Sequence, residues 1–96
     1  GLKNQNKYDE IIEYCIKTTD INDTWISSYF FGIAYYELND IDKSEKNLID
    51  STQKTNKYIE PYYELVLLYS KNGNKQKSIE YLLEALKILE KYENNI

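Results

Sequence analysis

The sequence predicts an all-α fold of about five helices, and three observations carry that expectation. Chain breakers are scarce: 96 residues hold one Pro and three Gly, too few for the many tight turns of a β-rich chain. Apolar residues recur at helical rather than alternating spacing, as in Ile79, Leu82, Leu83, Leu86 and Leu89. The chain also matches itself after a shift of 34, which sets Tyr29 on Tyr63, Tyr35 on Tyr69, Lys43-Ser44 on Lys77-Ser78 and Leu48 on Leu82. Lys57-Tyr58 falls on Lys91-Tyr92 in the same register, with Phe31 on Leu65 and Ile49 on Leu83.

The elements follow from where turn residues gather. A first helix is expected over 7–19, closed by "TTDINDT". A second, over 24–38, opens after Asp23, a residue suited to an N-cap, and closes in "LNDID". The third, over 41–54, starts from the cap candidate Asp40 and runs out at "KTNK". The fourth, over 58–72, must hold Pro61 in its first turn, where the missing N–H costs nothing, and stops at Gly73. The fifth, over 75–93, carries "SIEYLLEALKILEKY" and is the longest. Its stripe of Ile79, Leu82, Leu83, Leu86 and Leu89 excludes Tyr81 and Ile88.

These residues resemble the tetratricopeptide repeat, whose pattern is W-x2-L-G-x2-Y followed by A-x3-F at a 34-residue period. "SYFFGIAY" supplies Phe31, Gly32 and Tyr35, with Ser28 at the Trp place; Ser44 and Leu48 follow. "YYELVLLY" supplies Tyr62, Leu65, Val66 and Tyr69, completed by Ser78, Leu82 and Ala85. "KYDEIIEYCIKTT" is similar to a second helix without its first. The chain departs from the pattern in keeping only Gly32 of the glycines, in Ile11 at the small-residue place, and in lacking the late Pro. The resemblance implies a right-handed superhelix of antiparallel helix pairs. It makes residues 1–96 one domain, a fragment of a longer protein, with a half repeat at 7–22 and repeats at 24–57 and 58–93.

Residues 30–38, "FFGIAYYEL", pose a problem that helix geometry answers. Ser28, Phe31, Gly32, Tyr35 and Leu38 share one face, which packs on the partner helix. Tyr35 and Tyr69 are accordingly assigned to the core. Ile26, Tyr29, Ile33 and Tyr36 form a second stripe on the opposite face. The resemblance puts that stripe on the concave side of a solenoid, the surface such folds use for binding. The implied groove places are Ile26, Tyr29, Ile33, Tyr36 and Glu37, then Glu60, Tyr63, Leu67, Ser70 and Lys71. Tyr29 and Tyr63 hold one repeat place, so their rings are expected on one wall. The competing reading packs Ile26 and Ile33 on a neighbouring helix. Phe30 and Glu64 share a boundary place and stay open between the two.

One branch of the resembled family clamps acidic chaperone tails with Lys, Arg and Asn. Here Tyr29, Phe30, Ile33, Glu60 and Glu64 stand at those places, and the two acids would repel a carboxylate. The expected ligand is an apolar or aromatic peptide or helix carrying a basic residue. The apolar side of the last helix makes self-association through the terminal helices, or a scaffold role, the second expectation.

Composition narrows the rest. Twelve basic against sixteen acidic residues give a net charge of -4, with every basic residue a Lys, which speaks against a nucleic-acid surface. Apolar residues at 42% and charged at 29% describe a globular chain. No run is long and apolar enough for a membrane span. The sequence has no His, so the commonest general base and metal ligand is missing. Lone Cys15 has no dyad partner and reads as a buried structural thiol, suiting a reducing, cytoplasmic compartment. "DIDKSE" from Asp40 imitates a calcium loop, but Glu45 stands in its glycine place and Ser51 in its final Glu place. No catalytic residue, metal site or cofactor is expected, and enzyme activity is not.

Overall fold

The computed structural model describes residues 2–19 and 24–94. It contains α1 (Leu2–Thr19), α2 (Trp25–Glu37), α3 (Ile41–Lys54), α4 (Glu60–Lys71) and α5 (Lys75–Asn94), and no strand among the described residues. Each helix packs on its neighbours in sequence, and α2 also touches α4.

The 34-residue self-match reappears as geometry. Asp40 caps α3, its carboxylate accepting from the Lys43 amide at 3.2 Å, and Asn74 caps α5 by accepting from the Lys77 amide at 3.2 Å. Just ahead of each cap stands a left-handed residue, Asn39 at φ 64° and Gly73 at φ 79°. Asn and Gly are the two residues that enter this region at least cost. Ser44 Oγ donates to the Gly32 carbonyl at 2.6 Å, and Ser78 Oγ to the Val66 carbonyl at 3.1 Å. Lys43 Nζ lies 5.4 Å from the Tyr35 ring centre, and Lys77 Nζ 5.4 Å from that of Tyr69. Every pair is separated by the same 34 positions, so the α2–α3 and α4–α5 hairpins are built alike.

Close packing inside the first hairpin rests on Gly32. A Cβ there would stand 2.5 Å from Leu48 Cγ, so any side chain would displace the Leu48 side chain that fills the hairpin. Ser51 Oγ adds a second tie to α2 through the Trp25 carbonyl at 2.7 Å. Near the surface of this hairpin Ser28 donates to Asp50, which also pairs with Lys54 at 2.9 Å. Burial alone would raise the Asp50 pKa, but the bonds from Ser28 and Lys54 outweigh it and hold the carboxyl below its ordinary value. The α3 C-terminus is met by α4: Tyr62 Oη lies 3.0 Å from the Thr52 carbonyl and 2.9 Å from that of Thr55. Its single proton is shared between two carbonyls at the helix end, where acceptors have no partner in the next turn.

Leu48, Leu65, Leu68 and Tyr69 form the central core, and Tyr62, Ala85 and Ile88 a second one between α4 and α5. Tyr81 packs against both and joins them.

Several expectations need correction. Helix α1 begins at Leu2 rather than residue 7, since "LKNQN" contains no Gly or Pro to stop it. Asp23 lies outside the described residues, and Thr24 occupies the N-cap of α2 without a side-chain capping bond. The thiol of Cys15 and the end of the half repeat, residues 20–22, also lie outside them. Tyr35 is half-buried, whereas Tyr69 is 3% exposed. Tyr69 is stacked by Tyr81 of α5 at 5.7 Å between centres, whereas Tyr35 is stacked by Phe31 of its own helix at 6.2 Å. At the matching place before Tyr35 stands Asn47, which turns back to donate to the Lys43 carbonyl at 2.8 Å. Pro61 sits in the first turn of α4, as its missing N–H requires.

Candidate functional site

Where α2 and α4 face each other a cavity of about 200 Å³ opens. Its α2 wall is Ile33, Tyr36 and Glu37, and its α4 wall is Glu64, Leu67 and Lys71. Spacings of three and four residues put each set on one helical face. The floor is Gly32, Leu48 and Leu68. Ile33 and Leu67 hold one repeat place, and Glu37 and Lys71 another, so equivalent positions of the two hairpins look across the gap.

Polar groups mark one end of this apolar slot. Lys71 Nζ crosses from α4 to sit 5.3 Å from the Tyr36 ring centre, a cation–π contact. Burial holds the Glu64 carboxyl above its ordinary pKa against the attraction of Lys71, and the Glu37 carboxylate adds a smaller push in the same direction as burial. A half-buried acid with a like charge beside it favours any cation that can reach it.

The groove places read from sequence divide among several environments. Ile33, Tyr36, Glu37, Leu67 and Lys71 meet in the slot. Tyr29 packs against the central cluster, as Tyr36 does, without lining the slot; burial, then Glu64 and Glu60, push its phenol pKa up. Glu60, Tyr63 and Ser70 are exposed on α4 and line none of the cavities described, Tyr63 being 50% exposed. Ile26 belongs to a separate, wider depression of about 510 Å³ between α1 and α2, with Ile11, Tyr14 and Phe30. Of the two boundary residues, Phe30 therefore joins that depression and Glu64 the slot.

Sequence reasoning missed an aromatic row at the entry of α2. Trp25 stacks on Tyr58 at 4.9 Å between ring centres and tilts against Tyr29 at 5.8 Å, while Phe30 meets Tyr29 edge-on at 5.5 Å. The four-residue spacing of Trp25 and Tyr29 was visible in the sequence; the reach to Tyr58 was not. The slot's floor was missed for a different reason, since the repeat pattern assigns Gly32 and Leu48 to packing within the helix pair and says nothing of Leu68.

Among the described residues no cluster of His, Cys, Asp or Glu could hold a metal ion, and no helix is long and apolar enough to cross a membrane. Compared with known proteins, residues 59–92 match the family model of the tetratricopeptide repeat. No curated protein and no solved structure matches the chain. The matched segment runs from the residue before α4 almost to the end of α5. It contains the left-handed Gly73, the Asn74 cap and the Ser78 bond found also in the preceding hairpin. The likeness to the tetratricopeptide repeat therefore holds for residues 59–92, the segment that builds the α4–α5 hairpin.

Proposed function

We propose that the chain is a non-enzymatic protein-interaction module that holds an apolar or aromatic peptide or helix against the α2–α4 face. Tetratricopeptide repeats as a family mediate contacts between proteins, and in this reading residues 24–57 and 58–93 act as two repeats preceded by the half repeat 7–22. A cytoplasmic setting, suited to a chain with one Cys, belongs to the same reading.

The observation that carries the proposal is the slot itself. Ile33, Tyr36 and Leu67 supply apolar wall, while Glu37 and Glu64 line the slot together with a single Lys71 already engaged by Tyr36. An incoming carboxylate would meet two acids. An incoming Lys or Arg would relieve the repulsion between them. The ligand is thus an amphipathic segment with one basic residue beside its apolar anchors.

The test uses a pair of fluorescent amphipathic peptides that differ only in a Lys or a Glu beside the apolar anchors, measured by anisotropy. The Lys form is expected to bind at least roughly tenfold more tightly, and Ile33→Asn with Leu67→Asn to weaken it by a similar factor at unchanged helicity. Equal affinity for the two peptides, or binding indifferent to the double substitution, would dismiss the slot. A second reading, a scaffold or self-association segment, is favoured by one specific feature, the uncovered apolar side of α5.

A further inference from the structure

Helix α5 has two apolar sides. Tyr81, Ala85 and Ile88 face α4 and the core. Ile79, Leu82, Leu83, Leu86 and Leu89 lie on another side and remain 40% to 53% exposed. Four of these, with one charged residue beyond each end, make a single stripe: Lys75, Ile79, Leu82, Leu86, Leu89 and Glu93. Successive steps are four, three, four, three and four residues, the heptad spacing of a two-helix seam. Lys75 and Glu93 are both exposed.

That series reads the same from either end, and its two ends carry opposite charge. Turned by a two-fold axis onto a second copy, it sets Ile79 against Leu89, Leu82 against Leu86 and Lys75 against Glu93. Each pair occurs twice, as a two-fold interface requires. Leu83 then flanks the axis against its own counterpart. A parallel pairing would place Lys75 on Lys75 and Glu93 on Glu93, which repel.

We propose that α5 is a homodimerisation surface that pairs antiparallel with α5 of a second copy, in the register that joins Lys75 to Glu93 at both ends. The seam spans about 27 Å of helix, a short interface, so the dimer forms and parts in the micromolar range. It leaves the α2–α4 slot open and does not depend on the ligand proposed there. Leu82 holds the repeat place of Leu48, which is 2% exposed with α4 among its neighbours. The competing occupant is therefore a further helix of the same kind.

Sedimentation equilibrium of the 96-residue chain reads the answer. The expected mass rises with concentration toward twice 11.5 kDa. Lys75→Glu alone and Glu93→Lys alone each raise the dimer dissociation constant roughly tenfold, and the two together restore it. Leu86→Gln, at an exposed position that leaves the fold intact by circular dichroism, removes the dimer. A monomer at every concentration would overturn the proposal and leave the stripe to a further helix. So would a dimer that ignores the charge reversals or that the double reversal does not rescue.

Discussion

A single carboxyl, that of Glu64, links stability to the binding proposed at the slot. Burial and the nearby Glu37 raise its pKa in the folded chain above the ordinary value of 4.5, against the pull of Lys71. Between the unfolded and folded values the native state binds more protons, so stability declines as pH rises through that interval and stays lowered above it. Glu64→Gln is expected to be more stable than the parent at neutral pH, with the difference closing below pH 4.5. Urea midpoints at the two pH values check this, and a less stable variant at neutral pH would contradict it. Asp50 has the opposite sign. Its bonds from Ser28 and Lys54 lower its pKa, so the stability it adds is present above the unfolded value and fades as pH falls through the folded one. Gly32 is the other residue whose identity cannot change quietly, because the space a Cβ needs belongs to Leu48.

Among the elements, the two hairpins solve one problem twice with small differences. Both tight joints pass through a left-handed residue, Asn39 in one and Gly73 in the other, before a side-chain N-cap. A Cβ on Gly73 would meet nothing within 4 Å, so Gly73→Ala tests backbone conformation without a steric clash. It is expected to cost about 1 kcal/mol, read as a lowered urea midpoint. Asn39→Gly should change it by a few tenths at most. A neutral Gly73→Ala would mean that the joint does not need its left-handed turn. Helix boundaries were legible because these turn residues are local signals. The start of α1 was not, because "LKNQN" is permissive for helix without demanding it.

For the molecule as a whole, the core is a chain of contacts running from one hairpin to the next, with Tyr81 as the link between its two clusters. Loss of a residue inside that chain should be felt throughout, and loss of a surface residue of the same type hardly at all. Leu65, which is 0% exposed, and Leu83, at 53%, make the comparison. Leu65→Ala is expected to lower stability by about 2–5 kcal/mol, and Leu83→Ala by less than about 0.5 kcal/mol in the monomer, both from urea unfolding. Comparable losses would mean that the α5 stripe is covered in solution at the concentration used.

The sequence by itself determined the all-helical class, the 34-residue period, both tight turns and the helix faces, because each depends on neighbours within a turn or two. Half of the expected groove residues came together on the same basis: Ile33, Tyr36, Glu37, Leu67 and Lys71 repeat at fixed spacing on helices that lie side by side. Only the tertiary structure decided that Ile26 sits beside α1 and that Glu64 joins the slot. It also separated Tyr69 from Tyr35, because a ring from another helix, α5, stacks on the first while the second is stacked only within its own helix. Which face of a helix is apolar is written in its own residues; what covers that face depends on the crossing of another helix, and no local pattern encodes it.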